Sequence, residues 1–133
     1  MRLTRAAAYA VHALAHLAAE GDGRPVTCLV IARARGLPHL ALLKVLNELV
    51  AARLLRSNRG LRGGYRLAKP APRVTLLEIL EAVNGPLDNH GGAGPPSAHP
   101  AFDRRLDEAG GRAAGALRRQ LARVRLSDLA GGQ

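Results

Sequence analysis

Cysteine occurs once, at position 28, tryptophan is absent, and there are only one phenylalanine and two tyrosines in 133 residues. A single thiol excludes an intramolecular disulfide, a paired-cysteine motif and a cluster ligated mainly by the thiolates of one chain. Aromatics at 2% leave a core of Leu, Ala and Val, and give an RNA binder almost nothing on which to stack bases. No apolar run approaches the roughly 20 residues a membrane-spanning helix needs. Arg2 and Arg5 ahead of the Ala-rich segment 6–19 imitate a secretory signal, but His12 and His16 interrupt that run and Glu20-Gly-Asp closes it. The chain therefore reads as cytoplasmic. Neither a nucleophile–base pair, a phosphate-loop glycine pattern nor a paired-carboxylate motif is visible, so an enzyme is not expected.

Acidic residues are the other scarcity: 10 against 20 Lys and Arg, for a formal charge of +10. A field of that sign favours a polyanionic partner, and clustering sharpens the point. Between Glu48 and Glu78 no acidic residue occurs, while Arg53, Arg56, Arg59, Arg62, Arg66, Lys69 and Arg73 do. Leu54-Leu55 and Tyr65-Arg66-Leu67 flank a loop with glycines at 60, 63 and 64. That pattern predicts a β-hairpin with a thin, cationic tip suited to a narrow anionic groove.

At 133 residues the chain is one domain with an appended helix. Thr4 can cap a first helix from Arg5 to about Glu20, apolar around most of its circumference except for a stripe at His12, His16 and Glu20. Thr27 opens a second helix, Cys28 to Arg35, which Gly36 ends where left-handed backbone is wanted. Pro38 suits the first turn of a third, reaching about Ala52. Ile31, Ala32, Gly36, Leu37, Leu42 and Val45 across this junction form a helix-turn-helix pattern: a small residue four before the glycine lets the helices cross closely, and the aliphatics pin the crossing. If Leu42, Val45, Leu46 and Leu49 face the core, then His39, Leu40, Leu43, Lys44, Asn47 and Glu48 face outward. Lys44 and Asn47 could donate to bases or phosphates, and Leu40 and Leu43 could make only apolar contacts, for instance with thymine methyls.

The hairpin directly follows that helix, the order of a winged helix-turn-helix. Arg59 or Arg62 would enter a minor groove. Thr75-Leu-Leu-Glu78 is a capping box with Val74 and Ile79 as hydrophobic staple, opening a fourth helix that ends at Gly85-Pro86. Residues 87–99 read as a flexible loop. From Pro100 a long helix carries Phe102, Leu106, Ala109, Ala113, Leu117, Leu121 and Val124 at threes and fours, a stripe suited to a second copy of itself. The expectation is thus a mainly α chain with a small β-hairpin: a winged helix-turn-helix head over residues 1–86, a dimerisation helix over 100–126, and a tail over 127–133 with a short closing turn at Ser127-Asp-Leu. The head is expected to touch double-stranded DNA through Arg2, Thr4, Thr27, His39, Lys44, Asn47, Arg56, Arg59, Gly60, Arg62 and Tyr65.

The same order of parts resembles the Rrf family of winged-helix regulators, the group of the IscR, NsrR and CymR types. The residues that carry the resemblance are Met1-Arg-Leu-Thr4, Ile31-Ala-x3-Gly36-Leu, Arg59-Gly-x2-Gly-Gly-Tyr-Arg-Leu-Ala68, Val74-Thr-Leu-x-Glu78-Ile and Ala82-Val-Asn-Gly-Pro86, with Val124-Arg-Leu-Ser-Asp-Leu129 near the end. The resemblance implies a homodimer on a pseudo-palindromic operator, joined through the long helices. It also implies, in many members, an iron–sulfur cluster bound by three cysteines in the loop before that helix. Here Asp88 to Ala98 contains no cysteine, and Gly92 and Ala98 stand near where two would be expected. Leu40, Ala41 and Leu43 occupy recognition-helix positions that are often polar or aromatic in the family. The chain is therefore expected to be a DNA-binding regulator, a repressor, with no cofactor; any protein or small-molecule effector is unknown.

Two alternatives remain at the level of sequence. One is a metal or redox sensor using histidines and Cys28: His12 and His16, four apart on one helix, could share a metal with His90 or His99, and Cys28 at a helix N-terminus could be a reactive thiol or simply a small buried hydrophobe. A Leu40/Leu43 surface could instead serve a protein-interaction module that has lost operator reading.

Overall fold

The computed structural model describes residues 3–87 and 96–131. Arg2 and most of the expected loop, residues 88–95, lie outside them, as do 132 and 133. The elements in order are α1 (Arg5–Glu20), α2 (Cys28–Arg35), α3 (His39–Ala51), β1 (Leu55–Asn58), β2 (Gly64–Leu67), a 3-10 turn (Ala71–Arg73), α4 (Leu76–Asn84), α5 (Pro100–Arg123) and α6 (Leu126–Ala130). The fold is mainly helical with one two-stranded antiparallel hairpin.

α1 is the axis of the core. Thr4 caps it, its hydroxyl oxygen accepting from the Ala7 amide at 3.1 Å, and Ala7, Ala10, Ala13, Leu14, Ala15 and Leu17 are buried. Small alanines let α2, α3, α4, α6 and β2 all approach this one helix. The expected polar stripe on α1 is only partly solvated: His12 is exposed, but His16 lies inside at 8% exposure. The elements packed on several sides of α1 close over His16.

α2 ends as its sequence predicts. Gly36 sits at φ 64°, ψ 40°, and its amide donates to the Ala32 carbonyl, the left-handed cap that glycine adopts without steric cost. α3 begins at His39, with Pro38 one residue earlier as its N-cap. Leu42, Val45, Leu46 and Leu49 are buried, each at 3% exposure or less. The helix stops without glycine: Arg53 takes φ 64°, and the Leu54 amide donates to the Leu49 carbonyl at 3.0 Å.

Only half of the expected capping box forms on α4. Thr75 Oγ1 accepts from the Glu78 amide at 3.2 Å, but the Glu78 carboxylate is held by Lys69 Nζ at 2.8–2.9 Å instead of turning back to the cap. Val74 and Ile79, the staple pair, are both fully buried.

The end of the chain departs most from the sequence reading. Where a tail was expected, Leu126–Ala130 is a helix packed on α1, with Leu126 fully buried in the same core. Backbone bonds at 2.8 Å from Leu76 to Val124 and from Leu126 to Val74 pair the segments ahead of α4 and α6. The chain thus leaves the head along α5 and returns to it.

Candidate nucleic-acid interface

Three pieces converge on one surface: the first turn of α2, the outer face of α3 and the hairpin. The α2–α3 crossing is set at its narrow end by Cys28, whose thiol donates to the His39 carbonyl at 3.6 Å. Cys28 is buried, and burial pushes its thiol pKa up. It behaves as a small core residue; a reactive thiolate would need the opposite shift. Beside it, at the same N-terminal end of α2, Thr27 Oγ1 accepts from the Val30 amide at 3.2 Å.

The hairpin pairs Leu55 with Leu67, Arg56 with Arg66, Ser57 with Tyr65 and Asn58 with Gly64. Leu55 faces the core, while Arg56, Ser57 and Asn58 are exposed. Its second strand is fastened twice to the helix-turn-helix, close to the loop. Val26 and Tyr65 exchange backbone bonds of 2.7 and 2.8 Å, adding one strand-like residue ahead of α2. This approach explains Gly64: a Cβ there would lie 2.6 Å from the Val26 carbonyl carbon, and φ is 142°. The second fastening is the Tyr65 hydroxyl, which donates to Asn47 Oδ1 on α3 at 3.2 Å.

Tyr65 therefore sits differently from its expected role. Its side chain is 9% exposed, and burial, with Cys28 nearby, raises its pKa. It holds the hairpin against α3 and does not project toward a ligand. Asn47 is exposed but already engaged through its oxygen. His39 and Lys44 on α3 and Arg56, Arg59, Gly60 and Arg62 on the hairpin are all exposed. Thr4 and Thr27 use their side-chain oxygens as helix caps, and the Thr4 hydroxyl also donates to Asn84 Oδ1 at 2.9 Å. Arg2 lies outside the described residues. Lys69, counted in the basic run, is bound to Glu78.

Sequence reasoning missed the Tyr65–Asn47 tie and the Val26 edge, because both join residues far apart in the chain. It also passed over Leu61, which is fully exposed at the tip between Arg59 and Arg62. The signal was there: a leucine flanked by arginines and glycines in a hairpin loop has no core to reach.

The stripe on α5 divides. Phe102 and Leu106 are 55% and 45% exposed, and Ala109 and Ala113 are exposed too. Leu117 and Val124 are half-buried, and Leu121 is buried in a cluster with Ala7 of α1 and Leu80 of α4. The assignment of Leu121 to a face for another copy is thereby corrected, since α4 of its own chain already covers it. Arg118 fixes this half, donating to Glu81 Oε2 at 2.7 Å and to the Leu87 carbonyl at 3.2 Å.

No helix among the described residues is long and apolar enough to cross a membrane.

Residues 3–132 match the sequence profile of the Rrf2 family, described as an iron-dependent transcriptional regulator. A Mycobacterium tuberculosis H37Rv protein, named provisionally as the HTH-type transcriptional regulator Rv1287, is 39% identical over 87 residues, 65% of this chain and 54% of its own length. The aau3 protein of Rhizobium meliloti is 41% identical over 83 residues, 62% of this chain and 53% of that one. The chain thus spans about half the length of the curated relatives it matches. Among solved structures, CymR of B. subtilis, named the global cysteine regulator, superposes with TM-score 0.79 at 23% identity, covering 100% of this chain and 98% of that one. The IscR of T. potens does so with TM-score 0.70 at 22% identity, covering 99% and 88%. These two likenesses show the fold. The family and the mycobacterial relative are described as transcriptional regulators, not as enzymes.

The iron dependence in the family's description finds no matching donor set among the described residues. The one thiol is buried and donates to a backbone carbonyl, and His16 is enclosed in the core while its neighbour His12 faces out. Among the described residues no three His, Cys, Asp or Glu side chains are grouped to share a metal. On the match across nearly its whole length, the chain belongs to the Rrf2 family of transcriptional regulators.

Proposed function

We propose that this chain is a cytoplasmic, homodimeric, sequence-specific DNA-binding regulator that represses from a pseudo-palindromic operator and works without an iron–sulfur cluster. The observation that carries the reading is the hairpin, whose arginine-bearing tip is exposed at Arg59 and Arg62 and whose second strand is tied to α3 by Tyr65. A wing and a helix held in one geometry can enter adjacent grooves together. In this reading α3 lies in the major groove, Arg59 enters the minor groove, and Arg56 and the first-turn amides of α2 meet phosphates. The head over residues 1–86 reads DNA, and the exposed half of the α5 stripe joins two copies. Repression follows because a dimer covering an operator excludes other proteins from the same DNA.

Selection of bound duplexes from a random library tests this directly. The expected product is a motif with two half-sites about one helical turn apart. Arg59→Ala should weaken binding to it by ~1–3 kcal/mol and flatten the dependence on salt. Recovery of no motif from a folded protein would reject the reading, and an unchanged salt series for Arg59→Ala would reject the role of that arginine.

A further inference from the structure

α3 carries more apolar surface than its own core uses. Leu42, Val45, Leu46 and Leu49 already fill the inward face. On the outward face Leu40 is nevertheless 78% exposed, with Ala41 exposed and Leu43 half-buried beside it. Leu40, Leu43, Lys44 and Asn47 fall at i, i+3, i+4 and i+7, one face of a helix. Together with Glu48 and Ala51 they line a single shallow depression. A bare leucine in such a place gains only from an apolar partner outside the chain.

The polar groups beside it narrow that partner. Asn47 Oδ1 already accepts one bond, from the Tyr65 hydroxyl, and the amide nitrogen beside it is a pure donor. Lys44, exposed next to Leu43, also only donates. This end of the face therefore offers methyl contact and N–H donors. In the major groove thymine presents a C5-methyl beside the O4 acceptor, whereas adenine presents an N7 acceptor beside an N6 donor and no methyl. The carboxylate lining the depression is Glu48, half-buried beyond Asn47 and away from Leu40. The net charge of +10 and the arginines of the adjoining hairpin complement a duplex in preference to a neutral apolar protein surface.

Resting on the DNA-binding reading above, we infer that Leu40 and Leu43 read thymine in each half-site through its 5-methyl group, with O4 accepting from Lys44 or Asn47. The residues that distinguish this chain's recognition helix thus become its specificity determinants, and the Tyr65 tie holds Asn47 beside them.

The test uses duplexes selected from a random library and the same duplexes with deoxyuridine for thymine at one position at a time. Deoxyuridine keeps pairing and O4 and removes only the methyl. At one or two positions per half-site binding should weaken about fourfold, the effect of one buried methyl. Leu40→Ala, at an exposed site that leaves the core intact, should bind thymine and deoxyuridine duplexes alike at one of those positions. A selected motif in which no deoxyuridine substitution matters overturns the inference and leaves the DNA-binding reading standing. A deoxyuridine effect that persists undiminished in both Leu40→Ala and Leu43→Ala overturns it in the same way. Failure to select any motif overturns both.

Discussion

The two longest helices treat their apolar surface in opposite ways. α1, of 16 residues, buries seven of them and touches helices on several sides; α5, of 24 residues, buries only Leu121. α1 is saturated within its own chain, and its alanines let neighbours in. α5 is saturated over its second half alone, where Leu117 and Leu121 meet α4 and Arg118 binds Glu81. Its first half leaves the apolar side chains of Phe102 and Leu106 open. The difference teaches that one helix is spent on folding along its whole length, while the other gives only its second half to the core and leaves Phe102 and Leu106 uncovered by its own chain.

The sharpest way to break this contrast is to alter both helices. Leu14→Ala on α1 removes a fully buried side chain from a core that cannot easily relax, and should cost about 2–5 kcal/mol in urea denaturation. Phe102→Glu with Leu106→Glu on α5 should leave the head's fold intact and weaken self-association by on the order of 100-fold, about 3 kcal/mol, measured by sedimentation equilibrium. If the pair instead unfolded the head as Leu14→Ala does, the first half of α5 would belong to the core after all.

Much of this division was legible in advance. The bounds of α1 and α2, the glycine cap at Gly36 and the start of α5 at Pro100 follow from local rules of capping and periodicity. Two things were not. The turn at Arg53 uses a left-handed residue that sequence normally assigns to glycine, and the surrounding structure, not the residue, determines it. Burial of His16 and Leu121, the Tyr65–Asn47 bond and the return of α6 to α1 depend on which elements meet in space. Periodicity shows that a face is apolar, but not whether α4 or a second copy will cover it. At the candidate interface the exposure of Arg56, Arg59 and Arg62 was legible, whereas the positions of Tyr65 and Asn47 were not, because each depends on the other.

Arg118 marks the boundary inside α5. Its guanidinium and the Glu81 carboxylate are partly exposed, at 42% and 25%, so solvent screening reduces the pair's worth to about 1 kcal/mol. Arg118→Gln should lower stability in urea by that much at low salt and by less in ~1 M salt, where charges are screened within a few ångströms. Self-association through the first half should be nearly unchanged. A loss of self-association as large as that from the Phe102/Leu106 pair would mean that the two halves of α5 act as one element.

The smallest effect expected concerns His16, the polar side chain that α1 buries. Enclosure, then the charge of Arg35, hold its imidazole pKa below the ordinary value, with Glu20 opposing. The unfolded chain therefore takes up the proton more readily than the folded one, and stability must rise with pH where His16 titrates. Its contribution is complete above the unfolded value of about 6.5 and is lost as pH falls from there toward the lowered folded value. Carboxylates titrate mostly below about pH 5, so melting between about pH 5.5 and 7.5 reports mainly on histidine. The melting temperature should fall on acidification through that window. His16→Leu should flatten the fall, while His12→Gln, on the exposed side of the same helix, should keep it. A His16→Leu protein that loses stability with acid as steeply as its parent would place the titrating group elsewhere, and α1 would then be saturated by packing alone.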